Sequence, residues 1–333
     1  MTVSDIRSNP PYRGRNEQKE WQAACHSLYG GVDVKKIADK RGTRLAIFLC
    51  LLPALAIYTY VVVVPIIDAV RYSFFNWSGG PNMKYIGLKN YQMLLKDKNF
   101  WAAFLNNIKI TVICVIGQIG IAFIFSAMLS SRFIKLKKLH RVVAYFPSTL
   151  SAVVVGFTWS FIFNYDYGLI NVILRALGMD NWAQAWLNNP NTIIGVVCIP
   201  LIWQYIGYYM VIIMAAMSSI DPSIYEMAEL DGAGGVQRAL KITLPIIKNS
   251  IGVAVMLCIA GNMKIFDHIY VMTNGGPGTS SMVMALQVYK TTFVKNQFGY
   301  ASAMSIAILI LSLAITGGSR LLINRPWRKE KDF

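Results

Sequence analysis

Four polar residues crowd the end of one long apolar run: Asn262, Lys264, Asp267 and His268. An uncompensated charge in hydrocarbon costs roughly 2.5–3.5 kcal/mol on insertion scales, so such groups normally face a cavity or pair with each other. Lys264 and Asp267 are three apart and on a helix can meet as an ion pair; Lys264 is otherwise free to meet a carboxylate on a bound molecule. The remaining reactive groups do not assemble into a site. Cys25, Cys50, Cys114, Cys198 and Cys258 share no CxxC or CxxH spacing, and four of them fall in or beside apolar runs, where cysteine acts as a small hydrophobe. His26, His140 and His268 make no zinc or triad pattern, and no Gly-Lys dipeptide occurs, so no Walker A loop is present. No metal, cofactor or catalytic residue is expected.

The elements that must position these residues are membrane helices. The 333 residues are 55% hydrophobic and 14% charged, against about 25% charged in a soluble domain. A spanning helix needs about 20 largely apolar residues. Six segments qualify: Leu45–Val70, Ile108–Ser130, Val142–Phe163, Ile193–Met217, Ile246–Met272 and Ala301–Ile323. Their internal Pro53, Pro65, Pro147, Pro200 and Gly261 are tolerable where neighbouring helices satisfy the freed backbone groups. The expected fold is thus an all-α integral membrane protein of six transmembrane helices. It divides into an N-terminal arm over residues 1–44, a transmembrane domain over 45–324 and a tail over 325–333.

The formal net charge of +16 does not point to nucleic acid, because the basic residues lie between apolar runs rather than interleaved with aromatics on one face. They set topology instead. Lys and Arg crowd the arm, the connection at 132–141, the insert near Arg238–Lys248 and the tail, which places both termini and that insert in the cytoplasm. The arm is polar through residue 44 and lacks a short apolar core with a cleavage site, so the first span should act as an uncleaved signal anchor. No function is assigned to the arm. The outer connections are too short for separate domains, and their aromatics, among them Trp77, Tyr91, Trp101, Trp182 and Trp186, suit interfacial anchoring or contact with a docked external protein.

The polar insert at 221–245 cannot cross a bilayer, because it carries Glu226, Glu229, Asp231, Arg238 and Lys241. It reads as a short surface helix. Asp221 is its N-cap, Pro222 its first position and Ile224–Leu230 its body, with Gly232 as the left-handed release. Leu244-Pro245 is expected to start the next membrane helix. The pattern Glu226-x-Ala228-x-x-Asp231-Gly232-Ala233, followed by Ile242-x-Leu244-Pro245, resembles the cytoplasmic coupling loop of bacterial ABC importer permeases. The resemblance implies that this helix seats in a groove of an ATPase subunit, with Glu226 making a charged contact and Asp231-Gly232 forming the turn. Met227 stands where the commonest pattern has a second Ala. Ser78-Gly79-Gly80 faintly resembles an ATPase signature but lacks its context, so ATP hydrolysis is expected on another chain.

Three further stretches resemble the carbohydrate, maltose-type branch of these permeases: Gly87-Leu-Lys-Asn-Tyr91, Thr273-Asn-Gly-Gly-Pro277 and Phe298-Gly-Tyr-Ala-Ser-Ala303. With the coupling loop, the resemblance covers about residues 44–325. It implies a permease subunit of a sugar importer in the bacterial inner or plasma membrane. Its implied partners are a sister permease, two ATPase subunits, an external sugar-binding protein and membrane lipid. Trp203 and Tyr208 match an aromatic pair that contacts sugar in the family, and Asn262 matches a sugar-contacting Asn; their alternative role is packing. Tyr205, Gly261 and Ile265 stand where maltose-type members have Gly, Phe and Asn, so the pocket is reshaped and maltose itself does not carry over. The candidate pathway set is therefore Trp203, Tyr205, Tyr208, Asn262 and Lys264, with Lys264 suited to a uronic sugar. A glycerol-phosphate importer of the same branch is the nearest alternative. A secondary transporter would need inverted repeats and an ion-coupling site, and neither is visible.

Overall fold

The computed structural model describes residues 40–130 and 134–323, so most of the N-terminal arm and the whole tail lie outside the described residues. Compact packing divides the chain at Ile67, with Asp68–Phe333 as the larger unit. Among the described residues, four helices are long and apolar enough to cross a membrane, or up to six if each of two sharply bent pairs makes one crossing. The first, α1, is Ile47–Tyr72.

A small antiparallel hairpin follows, β1 (Phe75–Trp77) and β2 (Met83–Tyr85), paired as Phe75 with Tyr85 and Trp77 with Met83. Its connection contains Ser78-Gly79-Gly80, with Gly79 at φ +87°, a conformation glycine adopts freely. Those residues are a strand turn, which is the structural reason for the glycines that faintly suggested an ATPase signature. A surface helix, α2 (Lys89–Lys96), leads into α3 (Lys98–Ser130), whose start is capped by the Asp97 carboxylate accepting from the Asn99 and Phe100 amides. The second crossing therefore begins ten residues before the apolar run does, because the cap, not hydropathy, fixes its start.

The third crossing is not the single helix expected over Val142–Phe163. It is two helices, α4 (Lys137–Thr149) and α5 (Ala152–Ile162), bent by 97°. Pro147 lies in the last turn of α4 and Ser151 is extended at the start of α5. Gln204 donates to the Leu150 carbonyl inside the break at 2.9 Å, so the irregular backbone is buried in protein rather than exposed to lipid. After a short helix, α6 (Leu169–Ala176), comes α7 (Ile193–Met217), with the limits the apolar run predicts. It is the centre of the bundle: Ile193, Val197, Leu201, Met210 and Ile213 are fully or almost fully buried.

A surface helix, α8 (Pro222–Leu230), precedes α9 (Gly235–Ile246) and α10 (Lys248–Asn262), which meet at 78°. Leu244-Pro245 thus closes α9 instead of opening a membrane helix. Beyond α10 the chain leaves helical geometry until α11 (Asp267–Met272). An irregular segment with a cis Gly276–Pro277 bond leads to α12 (Met284–Tyr289), which widens into a π turn over Lys290–Val294 before α13 (Phe298–Ile323).

The break after α10 overturns one expectation. Lys264 lies off the helix, so the three-residue spacing to Asp267 no longer brings the two together, and they form no ion pair among the described residues. Asn107 of α3 stabilises this break. Its amide donates to the Asn262 and Met263 carbonyls at 3.1 and 3.5 Å, and its oxygen accepts the Met284 amide at 2.8 Å. Asn107 is wholly buried, so Asn107→Leu would strand several buried polar groups, each costing on the order of 1–3 kcal/mol. The expected outcome is a complex that inserts but loses activity at a much lower temperature in detergent. An unchanged inactivation temperature would show that Asn107 does not carry the break.

Candidate functional site

The polar insert folds into a rigid surface element. The Asp221 carboxylate accepts the Ser223 amide at 2.9 Å, and this bond holds its pKa below the usual carboxylate value. The cap is therefore intact at neutral pH and is lost only as pH falls through that lowered value. At the other end Gly232 sits at φ +74°, with its amide bonded to the Glu229 carbonyl and the next amide, of Ala233, reaching back to the Ala228 carbonyl at 2.9 Å. This paired closure is the Schellman arrangement, which needs a residue at ease in the left-handed region.

Two contacts tie α8 to α9. Arg238 Nη1 stands 3.7 Å from Glu229 Oε2, a partly exposed pair worth at most about 1 kcal/mol. Tyr225 and the buried Thr243 share a hydroxyl–hydroxyl bond of 3.1 Å. Between the two helices and the end of α3 lies a cleft of about 350 Å³, lined by residues including Ser130, Tyr225, Glu226, Glu229 and Arg238.

Glu226, Asp231 and Gly232 are exposed, and Ala233 is half-buried. Ala228 differs: it is buried against its own chain, so its smallness serves the internal seat of α8. The exposed face also carries Met227, Leu230 and Val236, with Leu230 89% exposed. The pattern missed Leu230 and Val236. The signal for Leu230 was its spacing of three from Met227, on a helix that also exposes Glu226 and Glu229.

The sugar-pathway candidates do not form one cluster. At about 100° per residue, Trp203 and Tyr208 are roughly 140° apart around α7, whereas Tyr205 and Tyr208 are roughly 60° apart. Trp203 meets Trp159 of α5 edge-on at 5.9 Å. It also lines an apolar cavity of about 630 Å³ with Phe125, Met128, Leu139, Val143 and Pro147. Asn262 is buried and donates to the Cys258 carbonyl and sulfur. Lys264 is exposed in the break just beyond it. His268, the remaining member of the polar group, bonds Gln204 Oε1 through Nε2 at 2.7 Å. Sequence reasoning passed over Gln204, which joins α7, α11 and the break before α5; a lone glutamine in an apolar helix was the available signal.

A bundle of broken apolar helices that presents a doubly capped helix on its surface defines a class of multi-pass membrane protein. Residues 118–328 match the family model described as binding-protein-dependent transport system inner membrane component, and the chain belongs to that family. It is a multi-pass inner-membrane permease subunit of an ABC transporter, not an enzyme. A probable ABC transporter permease of Bacillus subtilis is 36% identical over 271 residues, covering 81% of this chain and 92% of the relative. The sulfoquinovosyl glycerol transport system permease of Agrobacterium fabrum is 32% identical, with 83% and 89% covered. The diacetylchitobiose uptake system permease of Streptomyces coelicolor is 28% identical, with 85% and 83% covered. The fold matches a chain in the crystal structure of a bacterial ABC transporter that imports the acidic polysaccharide alginate. The TM-score is 0.76 at 21% identity, and 88% of this chain and 100% of the other are covered.

Proposed function

We propose that this chain is the permease subunit of an ATP-driven sugar importer that takes a mono- or oligosaccharide from an external binding protein. The observation that carries this reading is the exposed face of α8, in which Met227 and Leu230 stand beside Glu226 and Asp231. A fully capped helix with an apolar and acidic face suits a partner groove, and the family supplies the partner's class. The complex comprises this chain, a sister permease, two ATPase subunits and the binding protein. The two bent pairs each make one crossing, giving six, with α8 and both termini in the cytoplasm. Sugar as substrate rests on the relatives, which are named for sulfoquinovosyl glycerol, diacetylchitobiose and starch degradation products.

The purified chain alone is expected to hydrolyse no ATP, and hydrolysis should appear when the ATPase subunits are added. Hydrolysis by the chain alone, with contaminating ATPase excluded by mass spectrometry, would overturn the reading at its root.

Within the membrane, Tyr205, Tyr208, Asn262 and Lys264 are assigned to the substrate path, and Trp203 to a separate face of α7 bordering it. Lys264, which pairs with no carboxylate among the described residues, supports an acidic sugar. Lys264→Gln should therefore cut uptake of uronic oligosaccharides selectively in proteoliposomes holding the full complex, and equal loss for neutral and acidic sugars would remove the carboxylate contact. Trp203→Ala reports on its face of α7, and Asn262→Leu reports on the end of α10. Unchanged uptake in both would place the path elsewhere.

A further inference from the structure

A continuous run of aromatic rings climbs one side of the molecule. Phe266, at the break after α10, stacks on Tyr270 of α11 with centroids 5.2 Å apart and planes within 13°. Both rings reach Tyr289 of α12 at 5.4 Å. Tyr289 contacts Phe293 at 5.2 Å, Phe293 contacts Phe298 at 6.4 Å, and Phe298 contacts Trp77 of the outer hairpin at 5.3 Å. Every step lies within or near the 4.5–7 Å range of interacting rings. Part of the run is open, with Phe293 64% exposed and Tyr270 41%, while Phe266 and Tyr289 are half-buried against the core.

Its course runs from the break after α10 to the hairpin that precedes α2. The lower end lies beside the backbone that Asn107 holds. Asn107 is nine positions into α3, about 14 Å below that helix's outer end at 1.5 Å per residue. The upper end is the hairpin itself. An interfacial belt would keep its aromatics at one depth; these rings extend from the hairpin to the backbone beside Asn107. Polar groups accompany them. Lys264 and Asp267 flank Phe266 and are exposed, while Lys290, next to Tyr289, donates to the Asn274 carbonyl at 2.7 Å. Apolar faces with hydroxyl partners alongside are the mix a pyranose needs, since its C–H face is apolar and its rim is polar.

We propose that the rings from Trp77 to Phe266 form the outer half of the substrate path, a stacking track that favours longer oligosaccharides. This rests on the sugar-importer reading. A chain of several sugar units covers several rings at once and a disaccharide covers few, so the track's contribution grows with length.

The test uses the complete complex in proteoliposomes with its binding protein. The probes are radiolabelled hydrolysates of starch, chitin and alginate, each divided into disaccharides and longer chains. Phe293→Leu keeps an apolar side chain at an exposed position and removes the ring, and Phe293→Trp keeps a ring. The expected result is that Phe293→Leu lowers uptake of longer chains about tenfold more than that of disaccharides, within the range a pocket contact discriminates, and that Phe293→Trp does not. Equal uptake of all lengths by both variants would mean the rings are membrane packing only and would overturn the track, as would a loss independent of length. Failure of the wild-type complex to import any fraction would remove the sugar reading itself, a result separable from the variants' behaviour.

Discussion

Gly207→Ala is expected to remove most of the assembled complex. A Cβ at residue 207 would stand 1.9 Å from the Ala144 carbonyl oxygen, 2.4 Å from its carbon and 2.6 Å from Tyr145 Cα. All three are backbone atoms of α4, so no rotamer change relieves them, and α4 or α7 must move. Overpacking costs typically 1–3 kcal/mol even where side chains yield, and here the displaced element is half of a bent pair. Gly195→Ala is the control on the same helix, because nothing lies within 4 Å of its Cβ position. The measurement is the yield of intact complex on size-exclusion chromatography and its temperature of inactivation. Equal yields from the two variants would show that α4 and α7 are not in backbone contact.

Gly232→Val should separate assembly from transport. The Cβ position at residue 232 is open, so the substitution meets no clash. Its cost is conformational: a β-branched residue resists φ +74°, and the left-handed region costs L-residues roughly 1–2 kcal/mol. The closure of α8 then loosens, and the face carrying Glu226, Met227 and Leu230 loses its fixed direction. Substrate-stimulated hydrolysis and uptake should both fall steeply while the protein inserts and assembles. Gly232→Asn should retain more activity, because Asn tolerates the left-handed region. Gly234→Val supplies the control, since Gly234 has an open Cβ position and no positive φ. Normal uptake by Gly232→Val at normal abundance would mean that the capped helix transmits nothing.

What the sequence disclosed was local in origin. Asp221, Pro222 and Gly232 bring their own geometry, so α8 was legible residue by residue. The run Ile193–Met217 was legible because, Gln204 apart, it is long and largely apolar and ends where polar residues begin. The breaks in the third and fifth crossings were not, although Pro147 and the polar group at 262–268 marked their neighbourhoods. Hydropathy averages over a window and cannot show where a helix stops inside it. The positions of the stops depend on Gln204 and Asn107, which lie 54 and 155 residues from Leu150 and Asn262. The outer hairpin fell below the reach of a reading tuned to helices, because each strand has only three residues. The candidate pathway residues were legible as types, but their faces on α7 depended on which neighbour each side packs against.

The 78° angle between α9 and α10 has a mechanical meaning. Two arms joined near a right angle at the buried Ile247 form a bell crank. A displacement along the axis of α9 projects only weakly onto the axis of α10, so most of it reappears as a sideways swing of that helix. A load applied to α9 along its axis would thus be delivered to α10 perpendicular to the direction in which it was applied. Such a load would swing α10 about Ile247 without sliding it along its own length.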